Sequence, residues 1–170
     1  MLYGTYEHNI DGKNRIFMPA KFRSELGDDY VYRLYDSGYP TIQVFSRSYY
    51  EAQALKDVPG GAMSVQGRRI LAKCYMGVSE CSCDATGRIV LSNVIAKKAG
   101  LVKECIVVGF GTYVEIMSAD SYDKALTAMS EDHRKEEESY QAEEEIIRNL
   151  RSEGAYVDLG NKKVTTDEGM

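Results

Sequence analysis

Two arginines each stand four residues after an aspartate, in "DGKNR" (residues 11–15) and again in "DATGR" (residues 84–88), 73 positions later. Both runs have the composition of a turn. Asp11 and Asp84 accept local backbone hydrogen bonds, while Asn14 and Gly87 tolerate the left-handed conformation that a tight turn demands. A guanidinium at the end of such a turn presents a planar fork of donors. It can close on the carboxylate of its own turn, a local ion pair of small value on a surface. It can also fork onto the paired O6 and N7 acceptors of a guanine.

The elements that would hold these residues repeat along with them. Setting residues 11–27 over residues 84–100 aligns Asp11 with Asp84, Arg15 with Arg88, Ile16 with Ile89 and Gly27 with Gly100. The likeness resumes between "IQVFSRSYYE" (42–51) and "VEIMSADSYD" (114–123) at an offset of 72, so the second copy is one residue shorter. The recurring order of turn, apolar run, helix, strands and helix is the mark of a tandem duplication. In each copy a short strand follows the turn: Ile16–Met18, then Ile89–Leu91. Pro19 suits a first helical position and Gly27 stops that helix; Ser92 is a candidate cap, Ile95 and Ala99 face inward, and Gly100 ends the second helix. Strands are predicted at 30–35, 42–45, 105–110 and 113–117. Helices are predicted from Ser48, where Ser48 and Glu51 fit a capping box, and from about Asp120. "SVQGRRILAKCYMG" (64–77) reads as a connecting helix with Val65, Ile70, Leu71 and Cys74 inward and Arg68, Arg69 and Lys73 outward, where they suit contacts between subunits. Strands this short give neither copy enough area for a core of its own, so the two should pack as one unit.

Charge divides the chain differently. Of a net −5, residues 1–119 carry +2 and residues 120–170 carry −7, so the acidity belongs to the tail and leaves room for a basic face on the body. The start "MLYGTYEHNI" lacks the basic and apolar blocks of a secretory signal, and the longest apolar run, "CIVVGF" (105–110), is far below the ~18 residues of a span. A cytoplasmic location is expected, with reduced thiols.

Other chemistries are poorly supported. Cys74, Cys81, Cys83 and Cys105 lack the paired spacing of structural zinc sites and read as packed thiols, so no metal or cofactor is expected. His8 and His133 have no nucleophile at a telling separation, and "GFGTYV" (109–114) lacks the third glycine of a phosphate loop and reads as a hairpin, so no enzyme activity or small-molecule substrate is expected. From Ser130 the chain becomes an acidic helix with a thin apolar stripe of Tyr140, Ile146, Ile147 and Leu150, and its last sixteen residues read as mobile.

The paired turns, the "MPAKFRSELG" after the first, the "AGLVKECIVVGFGTYVEI" after the second and the basic helix between them resemble the MraZ family of bacterial transcriptional regulators, over roughly the first 129 residues. Asn14, Ser92 and Met117 stand where that family usually has Gly, Pro and Trp. The resemblance implies an α+β fold: two tandem AbrB-like swapped-hairpin halves forming one pseudo-twofold barrel unit with short flanking helices, followed by the acidic helix. The segments would be 1–55 and 81–129 for the halves, 56–80 for the connector and 130–170 for a helical, partly disordered tail. It also implies a nucleoid-associated, sequence-specific DNA-binding regulator of the division and cell-wall gene cluster, acting as a homo-oligomeric ring on short direct repeats of double-stranded promoter DNA. Arg15 and Arg88 would read bases, and Lys13, Lys21 and Arg23 would set register on phosphates. Asp11, Asn14, Asp84 and Gly87 would shape the turns, because a carboxylate facing DNA is repelled. About three phosphate contacts per subunit bind only weakly at physiological salt, so useful affinity requires several subunits on several repeats. A ring-forming structural or protein-binding module is the alternative.

Overall fold

The computed structural model describes residues 1–56, 58, 60–152, 155–158 and 163–166. They fall into two compact units, Met1–Ala125 and Leu126–Met170. In the first unit, strands β1 (Thr5–Asn9) and β2 (Arg15–Phe17) flank the first turn and α1 (Ala20–Leu26) follows. The hairpin β3 (Asp29–Asp36) and β4 (Pro40–Ser46) then leads into α2 (Arg47–Leu55). After the connecting helix α3 (Val65–Tyr75), the series recurs as β5 (Val78–Ser82), β6 (Arg88–Val90), α4 (Asn93–Lys98), β7 (Glu104–Gly109) and β8 (Val114–Ser118). Helix α5 (Ala119–Ser152) begins in this unit. In the second unit, β9 (Ala155–Asp158) and β10 (Lys163–Thr166) form an antiparallel pair. The rest of the expected mobile end lies outside the described residues.

Strand pairing shows what the duplication builds. One six-stranded sheet runs β1-β7-β8-β4-β3-β5, and β2 pairs with β6 in a separate ribbon; every pair is antiparallel. The order is symmetric about the β4–β8 pair, so β1 and β5, β3 and β7, β4 and β8 exchange places. Each copy's first strand pairs with the other copy's third, β1 on β7 and β5 on β3. Two pairs straddle the pseudo-twofold: Ile16 faces Ile89 in the ribbon, and Gln43 faces Glu115 in the sheet. The net one-residue deficit hides two changes. The offset between equivalent residues is 73 at β1/β5, 75 at β3/β7 and 72 at β4/β8, so length is gained before β7 and lost in its hairpin.

Burial follows from this exchange. Ile16, Ile89, Phe22, Ile42, Val44, Val107, Val114 and Ile116 are sealed from solvent in one core that neither copy supplies alone. A smaller cluster of Val31, Phe45, Tyr50 and Ala54 lies under α2. At the axis the Gln43 amide donates to Glu115 (3.1 Å) and accepts from Arg33 Nε (3.0 Å), giving these buried polar side chains partners.

Among the described residues β1 and β5 end the six-stranded ladder, and the β2–β6 ribbon is a separate hydrogen-bonded pair. Several local expectations are corrected. Ser46, not Ser48, caps α2, its hydroxyl accepting the Tyr49 amide (3.3 Å), because β4 runs directly into the helix. Pro19 is the cap of α1 rather than its first helical residue, with extended ψ of 137°. Ser92 holds the cap position of α4 without a side-chain bond; its N–H instead donates to the Tyr32 hydroxyl (2.8 Å), which a proline there could not do. Val65 is 74% exposed, whereas Ile70, Leu71 and Cys74 are half-buried as expected and Arg68, Arg69 and Lys73 face solvent. Helix α5 is continuous across Ser130, and Tyr140 and Ile146 on its predicted stripe are exposed.

Candidate functional site

The first turn is built around one carboxylate. Asp11 Oδ1 accepts the amides of Lys13 (2.9 Å) and Arg15 (3.0 Å), while Oδ2 accepts Arg15 Nε at 2.6 Å. Backbone bonds close the loop: Asn14 N–H to Asp11 carbonyl (3.0 Å) and Asp11 N–H to Arg15 carbonyl (3.1 Å). Asn14 sits at φ 57°, the left-handed position assigned to it. The Lys13 side chain is exposed.

The second turn repeats the scaffold with one substitution in its wiring. Asp84 Oδ1 accepts the amides of Thr86 and Arg88 (both 2.9 Å), and Gly87 takes the left-handed position at φ 86°. Thr86, the counterpart of Lys13, inserts its hydroxyl. It donates to Asp84 (2.7 Å) and accepts Arg88 Nε (2.9 Å), so the direct Arg88–Asp84 approach lengthens to 3.5 Å. Each arginine is thus held through Nε. Among the described residues no hydrogen bond or ion pair uses the Nη atoms of either, which leaves two donor forks for a ligand.

Both carboxyls titrate below the usual aspartate range. For Asp11 the Arg15 amide is the main cause, with the Arg15 guanidinium and Lys13 amide adding to it. For Asp84 the Thr86 hydroxyl leads, followed by the Arg88 amide, and the value falls to about 2. A carboxyl whose folded value is depressed contributes stability that is complete above its unfolded value and is lost as pH falls toward the folded one. The share from Asp84 therefore disappears between 3.8 and about 2. Urea midpoints of the wild type should exceed those of Asp84→Asn at about pH 5, with the gap narrowing toward about pH 2. A gap constant over that range would show that the turn does not use the charge.

The ribbon brings the turns together. β2 and β6 pair in the register Arg15 to Val90, Ile16 to Ile89 and Phe17 to Arg88. Since Ile16 and Ile89 point into the core, Arg15, Phe17, Arg88 and Val90 share the opposite face. Each turn also locks to the other copy: Met18 N–H donates to the Gly87 carbonyl and Leu91 N–H to the Asn14 carbonyl, both at 2.9 Å. The two predicted phosphate contacts on α1 are placed differently. Lys21 places its ammonium 3.2 Å over the Tyr3 ring. Arg23 crosses to the second turn, where a Cβ added at Gly87 would meet its guanidinium carbon at 2.8 Å. The flexible guanidinium could yield to a Cβ there, so it is the φ of 86° that favours glycine at position 87. In the first turn the Asn14 amide instead lies 3.4 Å from Asn93 of α4.

Sequence reasoning missed Thr86, Phe17, Val90 and Tyr3. The alternation Arg-Ile-Phe against Arg-Ile-Val carried a signal for Phe17 and Val90. Nothing in the spacing pointed to Tyr3. Among the described residues no group of three or more His, Cys, Asp or Glu is placed to hold a metal. Burial raises the Cys81 thiol to about 12 and Cys105 to about 11, so both stay protonated. No helix among the described residues is long and apolar enough to cross a membrane.

A family model described as "MraZ protein, putative antitoxin-like" matches residues 1–57 and 74–144, and both turns lie inside the match. The chain belongs to the MraZ family. Similar proteins named "Transcriptional regulator MraZ" include three from different bacteria. The Limosilactobacillus fermentum protein is 33% identical over 138 residues, spanning 78% of this chain and 91% of its own. The Desulforamulus reducens protein is 35% identical over 128 residues, 73% and 86% of the two chains. The Caldicellulosiruptor bescii protein is 33% identical over 131 residues, 75% and 87%. The MraZ match omits 58–73, which hold most of α3, and the end of α5.

Proposed function

We propose that this chain is a sequence-specific DNA-binding transcriptional regulator whose two turns and ribbon form the reading face. The observation that carries the reading is the β2–β6 ribbon, which presents Arg15 and Arg88 on one outward face with equivalent scaffolds and free Nη forks. A two-stranded ribbon fits a major groove about 12 Å wide, and an arginine fork matches guanine O6 and N7. Lys13 contributes an exposed cation to the first turn and Arg23 a second guanidinium beside the other, so each turn joins a base-reading group to a phosphate-reading one. The relatives' printed name supports the regulatory role.

The finer reading is that copies assemble into a ring on short direct repeats in the promoter of the division and cell-wall cluster, in the cytoplasm and at the nucleoid. Its physical support is arithmetic: few phosphate contacts per chain demand multivalency. In the same reading the halves form a swapped-hairpin barrel unit. The exchange of β1 and β5, and the packing of β1 on β2 and β5 on β6, support this. β5 favours starting the second half at Val78.

The test is binding of the full chain to DNA upstream of its own gene, against competitor duplex, over a salt series with sedimentation in the same buffers. Expected are preferential retention of the upstream fragment, a salt slope of several phosphates per complex and an oligomeric species. Equal affinity for competitor at every salt would overturn the regulator reading, and a tight monomeric complex would overturn the ring.

A further inference from the structure

The outward face of the ribbon is half apolar. Phe17 is 47% exposed and Val90 52%, each directly opposite an arginine in the ladder, and the pseudo-twofold relates one arginine–apolar pair to the other. Cross-strand neighbours of this kind stand about 5 Å apart. The Arg88 guanidinium lies 5.7 Å from the Phe17 ring centre, with His8 packed on the same ring at 6.3 Å. Even with these contacts Phe17, like Val90, keeps about half of its surface in water beside two free donor forks, a mixture that suits a partner offering both apolar and acceptor groups.

We infer that Phe17 and Val90 are base-specificity residues that contact thymine 5-methyl groups in the major groove next to the bases taken by Arg88 and Arg15. This rests on the DNA-binding reading above and assigns the ribbon a role that the arginines alone do not supply. The major groove is the surface that offers both chemistries: guanine presents O6 and N7 as paired acceptors, while thymine presents an apolar methyl group that phenyl and small aliphatic side chains contact. Base steps follow at about 3.4 Å, so side chains about 5 Å apart reach neighbouring steps. A minor groove has no methyl group, and a phosphate backbone would favour polar residues in both places.

The competing account is that Phe17 is only a shelf for Arg88. Substitution on the DNA side separates the two, because replacing thymine with deoxyuridine removes the methyl and leaves the shelf untouched. The full chain is first used to select its preferred duplex from a random pool, and each thymine is then replaced in turn. At one or more positions wild type should lose about fourfold in affinity, the worth of one buried methyl group. Phe17→Ala or Val90→Ala should abolish that loss at its own position, and Phe17→Leu should retain it. Both sites are exposed, and thermal melts identify any variant that fails to fold. Wild-type binding that needs both arginines but ignores every uracil overturns the inference and leaves the regulator reading standing. Uracil sensitivity that persists in both alanine variants also overturns it. Failure to select any duplex removes both.

Discussion

Replacing Arg15 and Arg88 together with alanine is expected to reduce binding at the selected duplex to the level of competitor DNA, while the melting temperature stays near that of wild type. A bidentate arginine–guanine contact is worth about 1–3 kcal/mol, so each single change should cost roughly 5- to 150-fold and the pair should consume most of the specificity. Stability should hardly change, because both ion pairs lie at the surface and the turns are closed mainly by amides on Asp11 and Asp84, which the substitutions keep. The salt series refines the assignment. If an arginine reads a base, its loss lowers specific binding and leaves the slope nearly unchanged; if it only neutralises a phosphate, the slope falls by about 0.9 and all sequences suffer alike. The wiring predicts a further asymmetry. Arg15 is bonded directly to Asp11, whereas Arg88 is held through the Thr86 hydroxyl, so Thr86→Val should weaken binding through the second turn alone. Measured affinities of all variants that remain near wild type would remove the turns as a reading face.

What the sequence made legible and what it concealed divide along one physical line. Positions governed by local chemistry could be read: Asp11 and Asp84 as amide acceptors, Asn14 and Gly87 in the left-handed conformation, and the strands 30–35, 42–45, 105–110 and 113–117, to within a few residues at their ends, from their dense apolar runs. The features governed by pairing between the copies could not. β1 is an edge strand, and its "TYEHN" alternates half-buried with exposed residues, too weak a stripe to stand out. Pairing of Ile16 with Ile89 is set by the pseudo-twofold, which the repeat suggested without giving a register. Arg23 illustrates the same limit. On a helical wheel it is one more solvated cation, yet its guanidinium packs against Gly87, 64 positions away, because the exchanged strands bring α1 beside the other copy's turn. Ser46 was missed for a different reason: a strand that passes into a helix without a loop moves the cap back into what reads as strand.

Ile16→Ala and Ile89→Ala are expected to act in the opposite sense to the arginine changes, lowering stability first and binding only as a consequence. Both side chains are fully buried and face each other across the axis. Truncating a buried isoleucine costs about 2–5 kcal/mol, from lost transfer energy and the cavity left behind. For a chain of this size that is a fall of roughly 4 to 20 °C in melting temperature. Either change removes a large share of a typical stability of 5–15 kcal/mol, but should leave a folded population. The double variant is informative because the two cavities would adjoin. Neighbouring sites couple by about 0.5–3 kcal/mol, so its loss should depart from the sum of the singles, whereas pairing Ile16→Ala with a distant core change such as Ala54→Gly should be close to additive. The function follows from the connectivity. Ile16 adjoins Arg15 in one strand and Ile89 adjoins Arg88 in the other, so a loosened axis should disturb both forks from a single truncation. Binding should therefore fall for both turns together, and should recover on cooling toward the temperature of maximum stability. If Ile16→Ala melted like wild type, the ribbon would not be the joint between the copies, and the turns would have to be positioned by the six-stranded sheet alone.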